Sequence, residues 1–207
     1  MNPAALLWGS LGITFAAQNC NSLNVVSSIK NQDLKLSAII GYKHDIIFLS
    51  DTRFNGRDGT ICDRLKLWYN VYHNSTKNCR GVAVLIGKQV EHEIIDTAAD
   101  PQENVLLIRL KIRGAEMAVG AVYGPNTDVN AADFFGFIRN TLNNWQNIPY
   151  VLGGDWNLTY SCLPLNENPD VLFMRNLPSI NSRVGIKKPT QKNPPKKTQK
   201  NPPKKTH

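Results

Sequence analysis

Residues 153–157 read Gly-Gly-Asp-Trp-Asn and close an apolar run that begins at Tyr150. In an extended segment alternate residues point the same way, so Asp155 and Asn157 can address one small site. A carboxylate and an amide held together can orient an attacking water and hold a phosphate oxygen, which is what phosphoryl transfer requires. The same residue types after a strand also make ordinary turns. The motif therefore needs company.

Three other segments have the same form, an apolar strand ending in polar residues. They are Gln18–Asn24 (Q-N-C-N-S-L-N), Leu49–Phe54 (L-S-D-T-R-F) and Ala121–Thr127 (A-V-Y-G-P-N-T). Each polar residue has a plain structural alternative. Asn21 can cap the following turn, Tyr123 can be a half-buried strand aromatic, Asn126 beside Pro125 can be a turn residue, and Arg53 can be a surface cation.

The elements that must position these residues follow from periodicity. Gly12–Gln18 reads as a strand, and Leu34–Ile40 as a short helix with Leu36, Ile39 and Ile40 on one face, ended by Gly41. Ile46–Leu49 is continuously apolar, as a strand covered on both faces should be. Strands are expected at Tyr69–His73, Gly81–Ile86, Val90–Asp96, Val105–Ile112 and Met117–Tyr123, several of them parted by turn signals such as Asp100-Pro101 and Arg113-Gly114. That series suggests an antiparallel meander. From Asn130 to Asn147 the pattern is helical, with Phe134, Phe135, Ile138, Leu142 and Trp145 on one stripe and Asn130 as the N-cap. A last strand, Tyr150–Gly153, leads into Asp155. The class is α+β, with helices laid on sheet.

A chain of 207 residues with 42% apolar side chains can fill one ordinary domain. Its net charge of +8 would suggest a nucleic-acid or membrane partner, but residues 187–207 hold eight lysines and no acid, so residues 1–186 sum to zero. Within that tail Lys192–Gln199 (KNPPKKTQ) is repeated almost letter for letter as Lys200–His207 (KNPPKKTH). Its only apolar residue is proline, so it is expected to be disordered. One reading is an arm that grips phosphates; the preferred one is translation of an A/C-rich repeat after an interrupted coding region. Cys20, Cys62, Cys79 and Cys162 form no C-x-x-C pair and read as reduced thiols of an intracellular protein. No run is long enough to span a membrane.

In order and spacing the four polar-ended segments, with Gly81–Ile86 (G-V-A-V-L-I), resemble the endonuclease/exonuclease/phosphatase superfamily, related to DNase I and the apurinic-site repair endonucleases. The nearest likeness is to the N-terminal endonuclease of LINE retrotransposons, over about Gly12–Arg183. The resemblance implies a four-layer αββα sandwich, incomplete at its C-terminal end. It divides the chain into an N-terminal extension (1–11), a partial endonuclease domain (12–186) and the tail (187–207). By the same resemblance Asp51 is a metal carboxylate for Mg²⁺, with Mn²⁺ as an alternative. Asn21 holds the phosphate and the water network, Asn19 being the weaker candidate because Leu23 and Asn24 set the register. Tyr123 hydrogen-bonds the phosphate, Asn126 and Arg53 contact the DNA backbone, and Asp155 aligns or deprotonates water with help from Asn157. DNA is the implied partner, together with a downstream reverse transcriptase, and the nucleus is the implied location.

Two departures bear on activity. Position 51 is Asp where the superfamily usually has Glu, so its carboxylate is one methylene shorter, and Mg²⁺ demands near-octahedral ligands at about 2.0–2.1 Å. No Ser-Asp-His occurs anywhere, and His44, His73, His92 and His207 lie in the wrong places to replace it. The chain is therefore expected to be a nuclease by descent that does not cleave as it stands, with part of the first sheet's inner face uncovered. The alternatives are a non-catalytic remnant that binds nucleic acid through its tail, and a small-substrate phosphoesterase of the same superfamily.

Overall fold

A computed structural model of the chain describes residues 12–23, 29–54, 59–76, 79–126, 131–146 and 148–157. The segments 1–11 and 158–207, the helix cap at Asn130 and Cys162 lie outside these residues.

The first sheet holds β1 (Phe15–Asn19), β2 (Ile46–Ser50), β3 (Tyr69–Asn74) and β4 (Val82–Gly87), in the order β1-β2-β4-β3. The second holds β5 (His92–Ala99), β6 (Val105–Ile112), β7 (Ala115–Tyr123) and β8 (Tyr150–Asp155), in sequence order. Two neighbouring pairs are parallel, β1–β2 and β7–β8. A parallel pair needs a crossover. Helix α1 (Ile29–Gly41) supplies the first and α3 (Ala131–Asn144) the second, while α2 (Gly59–Lys66) leads into β3.

Alternation along the strands builds four layers. Ile46 and Phe48 of β2 and Val82, Val84 and Ile86 of β4 face Leu106, Ile108, Leu110, Met117, Val119 and Ala121 of the second sheet. The intervening residues Ile47, Leu49, Ala83 and Leu85 turn outward onto Leu36 and Ile39 of α1 and Ile61, Cys62 and Leu65 of α2. On the far side Val105, Leu107, Ala118 and Val122 receive Phe134, Ile138 and Trp145. Burying side chains of this size is worth roughly 1.5–3 kcal/mol each, so two-sided burial makes β2 and β4 the anchor of the first sheet.

The expected strands recur with shifted ends, and three readings need correction. The first strand begins at Phe15 and is a half-exposed edge, because Thr14 instead binds Asp45 through its N–H and hydroxyl. The single meander divides: β3 and β4 pair within the first sheet, and only β5–β6–β7 is a meander. Helix α2 adds an element to those expected from periodicity, with Ile61, Cys62 and Leu65 as its buried stripe. Among the described residues the inner face of the first sheet is covered over its two central strands, with Ile46, Val82, Val84 and Ile86 fully buried under the second sheet, and is open at the edge strand β1, where Phe15 is half-buried and Ala17, paired with Phe48, is exposed.

Candidate active site

The C-terminal ends of β1, β2, β7 and β8 meet at one edge of the sandwich. Parallel register sets Asn19 beside Ser50 in one sheet and Tyr123 beside Asp155 in the other. The pairing runs on past the strands: the Cys20, Ser22 and Leu23 N–H groups donate to the Ser50, Asp51 and Thr52 carbonyls. Thr52 and Arg53 in turn donate to the Gly81 and Arg80 carbonyls. Asn21, Ser22, Asp51, Arg53 and Asn157 all have positive φ, between 44° and 63°. Left-handed backbone at non-glycine residues is uncommon and persists only where the surroundings over-determine it.

Asn19 bridges the two sheets. Its Nδ2 donates to Asp155 Oδ2 at 2.6 Å, while its Oδ1 accepts the Asn21 N–H at 2.9 Å. The amide in the cluster is thus Asn19, the candidate ranked second; Asn21 is exposed in the turn and contributes its backbone N–H. The reason is where the strand ends: β1 runs to Asn19 and sends that side chain across the gap, whereas Asn21 lies in the positive-φ turn beyond it.

Asp155 Oδ1 accepts the Asn157 N–H at 3.1 Å, and Asn157 Nδ2 donates to the Gly124 carbonyl at 2.6 Å. The two glycines before Asp155 bring β8 in close. A Cβ at Gly153 would overlap the Phe48 ring, and Gly154, at φ 144°, lies against the Val122 backbone.

Asp51 is buried, its side chain 6% exposed, and both of its oxygens are held by Arg53: Nε to Oδ1 at 2.8 Å and Nη2 to Oδ2 at 3.0 Å. Tyr123 lies within the field of Asp51, Asp155 and Arg53. Burial, then the two carboxylates, push its phenol above the ordinary tyrosine range, against Arg53 and a hydrogen bond with Asn157. The phenol is a protonated donor at neutral pH. Asn126 is exposed beyond Pro125.

Two residues here carried no functional reading in the sequence. Lys35 of α1 donates to the carbonyls of Cys20, Asn21 and Ser22, each at 2.8 Å, and so clamps the turn that follows Asn19. Only its place beside buried Leu36 marked it. Ser50 Oγ is fully buried and has no hydrogen-bond partner among the described residues. It pairs with Val82, an inward-facing residue, and so shares the inter-sheet face. A polar residue ending a buried run was the available signal.

No histidine joins this cluster among the described residues. His73 lies edge-on to the Phe54 ring, and His92 bonds Tyr72 at the opposite end of the sandwich. Nor do three His, Cys, Asp or Glu side chains gather at metal-binding spacing among those residues. A closed protein cage is excluded there, but a hydrated hard cation is not: Mg²⁺ commonly takes one or two carboxylates and fills its remaining positions with water and substrate phosphate. Asp51 suits that role once Arg53 is off it.

No protein-family model matches the chain, and no curated protein matches its sequence. Solved structures do match its fold. Truncated TDP2 from Caenorhabditis elegans superposes with a TM-score of 0.55 at 19% identity, over 76% of this chain and 66% of that one. D. rerio TDP2 complexed with a single-strand DNA product gives 0.55 at 13% identity, over 81% and 66%. The human Nocturnin catalytic domain, with a bound sulfate anion, gives 0.51 at 13% identity, over 70% and 65%. The fold is the DNase I-like αββα sandwich. These neighbours belong to the endonuclease/exonuclease/phosphatase superfamily, and the chain spans about two thirds of their length. No described helix is long and apolar enough to cross a membrane.

Proposed function

We propose that this chain is by descent a metal-assisted phosphodiesterase of the LINE endonuclease type, acting on DNA, with an incomplete catalytic set. The observation that carries the reading is the Asn19–Asp155 hydrogen bond, which joins the ends of β1 and β8 across 136 positions and, with the β1–β2 and β7–β8 pairing, gathers four strand ends into one polar cluster. Packing alone does not require a carboxylate, two amides, a phenol and a second carboxylate at one edge.

In this reading Asp155, held by Asn19 and the Asn157 N–H, aligns a water and takes its proton. The water oxygen bonds to phosphorus, the bond from phosphorus to the 3′ oxygen breaks, and that oxygen leaves as a 3′-hydroxyl with a proton from solvent. Tyr123 donates to a non-bridging phosphate oxygen where negative charge builds. Asn126 and Arg53 meet neighbouring phosphates. Asp51 would hold Mg²⁺, or Mn²⁺, which when bound supplies charge neutralisation at the phosphate. The group that would polarise the phosphate from the other side is lacking, since no Ser-Asp-His exists in the sequence and no described histidine reaches the cluster. Losing members of a cooperating set costs orders of magnitude, because their effects are strongly non-additive.

The test is nicking of supercoiled plasmid with Mg²⁺. The chain alone is expected to be inactive, a chimera completed with the C-terminal part of a related LINE endonuclease active, and that chimera with Asp155→Ala inactive. Nicking by the chain alone that vanishes with Asp155→Ala would overturn the argument from incompleteness. A chimera indifferent to Asp155→Ala would overturn the site.

A second reading rests on charge. The eight lysines of 187–207 face a neutral remainder, so sequence-independent nucleic-acid binding belongs to the tail whether or not the site works.

A further inference from the structure

We infer that Arg53 is an internal cation that closes Asp51 to metal, and that a substrate phosphodiester opens the site by drawing the guanidinium away. The inference rests on the reading of Asp51 as the metal carboxylate. Arg53 covers both Asp51 oxygens in a fork, the geometry in which Arg binds carboxylate most strongly. The backbone is bent to make this contact: Asp51 and Arg53 have φ of 52° and 51° on either side of Thr52, and the Thr52 and Arg53 N–H groups are tied to Gly81 and Arg80. An ordinary extended segment would also send residues 51 and 53 the same way, but without converging on one another.

The two partners differ in freedom. Asp51 is 6% exposed and fixed, whereas Arg53 is 39% exposed and can swing outward. A buried carboxylate cannot be left bare without large cost, so removal of one cation favours entry of another. A divalent ion must therefore displace Arg53 in the free protein. Phosphate offers the guanidinium an equivalent fork, so a bound phosphodiester releases Asp51 and recruits metal at the same step. Metal and substrate then bind cooperatively, and removing the Arg53 charge abolishes the cooperativity, since reciprocal coupling requires a shared element.

The experiment measures Mn²⁺ binding by the electron paramagnetic resonance signal of free Mn²⁺, for the full chain and for Arg53→Gln, Arg53→Lys and Asp51→Asn. Each is titrated with and without a 12-base-pair duplex, the duplex-only titration being subtracted. Thermal unfolding with and without Mn²⁺ confirms that each variant folds and gives a second readout of binding. Arg53→Gln is expected to bind Mn²⁺ about tenfold or more tightly than the parent without DNA, within the usual 5–150-fold range of coupling. Its unfolding temperature should rise more with Mn²⁺ than the parent's, and the duplex should add little. Arg53→Lys, which keeps the charge but not the fork, should fall between the parent and Arg53→Gln, and Asp51→Asn should lose the site. Equal Mn²⁺ affinity in parent and Arg53→Gln overturns the inference while leaving Asp51 as a ligand, provided Asp51→Asn is weaker. Binding that Asp51→Asn leaves unchanged, or no binding in any variant, overturns the metal reading and the inference together.

Discussion

Asn19 and Asp155 meet across the two sheets through a 2.6 Å hydrogen bond, and the same Asn19 side chain accepts the Asn21 N–H. The amide therefore orders the turn and the carboxylate at once. A hydrogen bond to a charged partner contributes about 1.5–3 kcal/mol, at the low end where water reaches it, as it does here. Asn19→Ala is expected to lower stability by about 1–2 kcal/mol, and Asn21→Gly, which removes the side chain while suiting the positive φ there, by less than about 0.5 kcal/mol. Urea unfolding of the two variants checks the order; the reverse would return Asn21 to the bridge.

The Gly153–Phe48 contact predicts an overpacking penalty. A methyl at Gly153 meets the Phe48 ring, so Gly153→Ala should destabilise by about 1–3 kcal/mol. With Phe48→Leu in the same chain, the combined loss should be smaller than the sum of the two single losses, because one substitution makes the room the other needs. Denaturant midpoints of the four proteins supply the cycle.

Burial lifts the Cys20 thiol from its ordinary 9.0 to about 12, against the nearby Lys35 charge. Burial also raises Cys62, Tyr69, Tyr72 and Tyr123. A group with a raised folded pKa binds protons more tightly when folded, so its contribution is whole below the unfolded pKa and is lost as pH rises through the folded one. Stability should therefore fall as pH climbs from 9 towards 12, with a shallower slope in Cys20→Ala. In a chain carrying Ser at Cys62, Cys79 and Cys162, Lys35→Met should speed labelling of Cys20 by a thiol reagent several-fold, since it removes the clamp on the Cys20–Ser22 carbonyls. Unchanged labelling would show that the turn holds without Lys35.

Deletion of residues 187–207 should nearly abolish nucleic-acid affinity and its salt dependence, because the eight lysines carry the entire excess charge. Fluorescence anisotropy of a labelled duplex between about 50 and 200 mM salt measures both, a span over which six to ten phosphate contacts lose about 10³–10⁵ in affinity. Survival of affinity and slope would place binding in the body instead.

The strands were legible because burial dictates their composition: Ile46–Leu49 and Gly81–Ile86 can only lie between covered faces, and the structure buries β2 and β4 throughout. The α3 stripe was legible for the same reason, with Phe134, Ile138 and Trp145 buried. Sheet membership was not, since nothing local says that β4 turns back to β2 while β5 starts another sheet. The short α2 was hidden because eight residues give barely two turns of periodicity. Within the site, Asp155, Asn157 and Tyr123 could be named from strand ends, but the choice of Asn19 over Asn21 depended on where β1 bends. The Arg53 fork and the Lys35 clamp depended on positive-φ backbone that side-chain identity does not announce.

The span between Asn19 and Asp155 also sets an order of assembly during synthesis. At roughly 5–20 residues per second, the ribosome needs on the order of ten seconds to add the 136 positions that take it from Asn19 to Asp155. For the second half of that interval, once Gly87 has been added, β1–β4 can pair, because all their partners lie before Lys88. The face formed by Ile46, Phe48, Val84 and Ile86 must meanwhile wait for β6 and β7. The nascent chain thus presents an apolar sheet before it presents a site, and this half-built sandwich is the form that a chaperone or an aggregate would meet first.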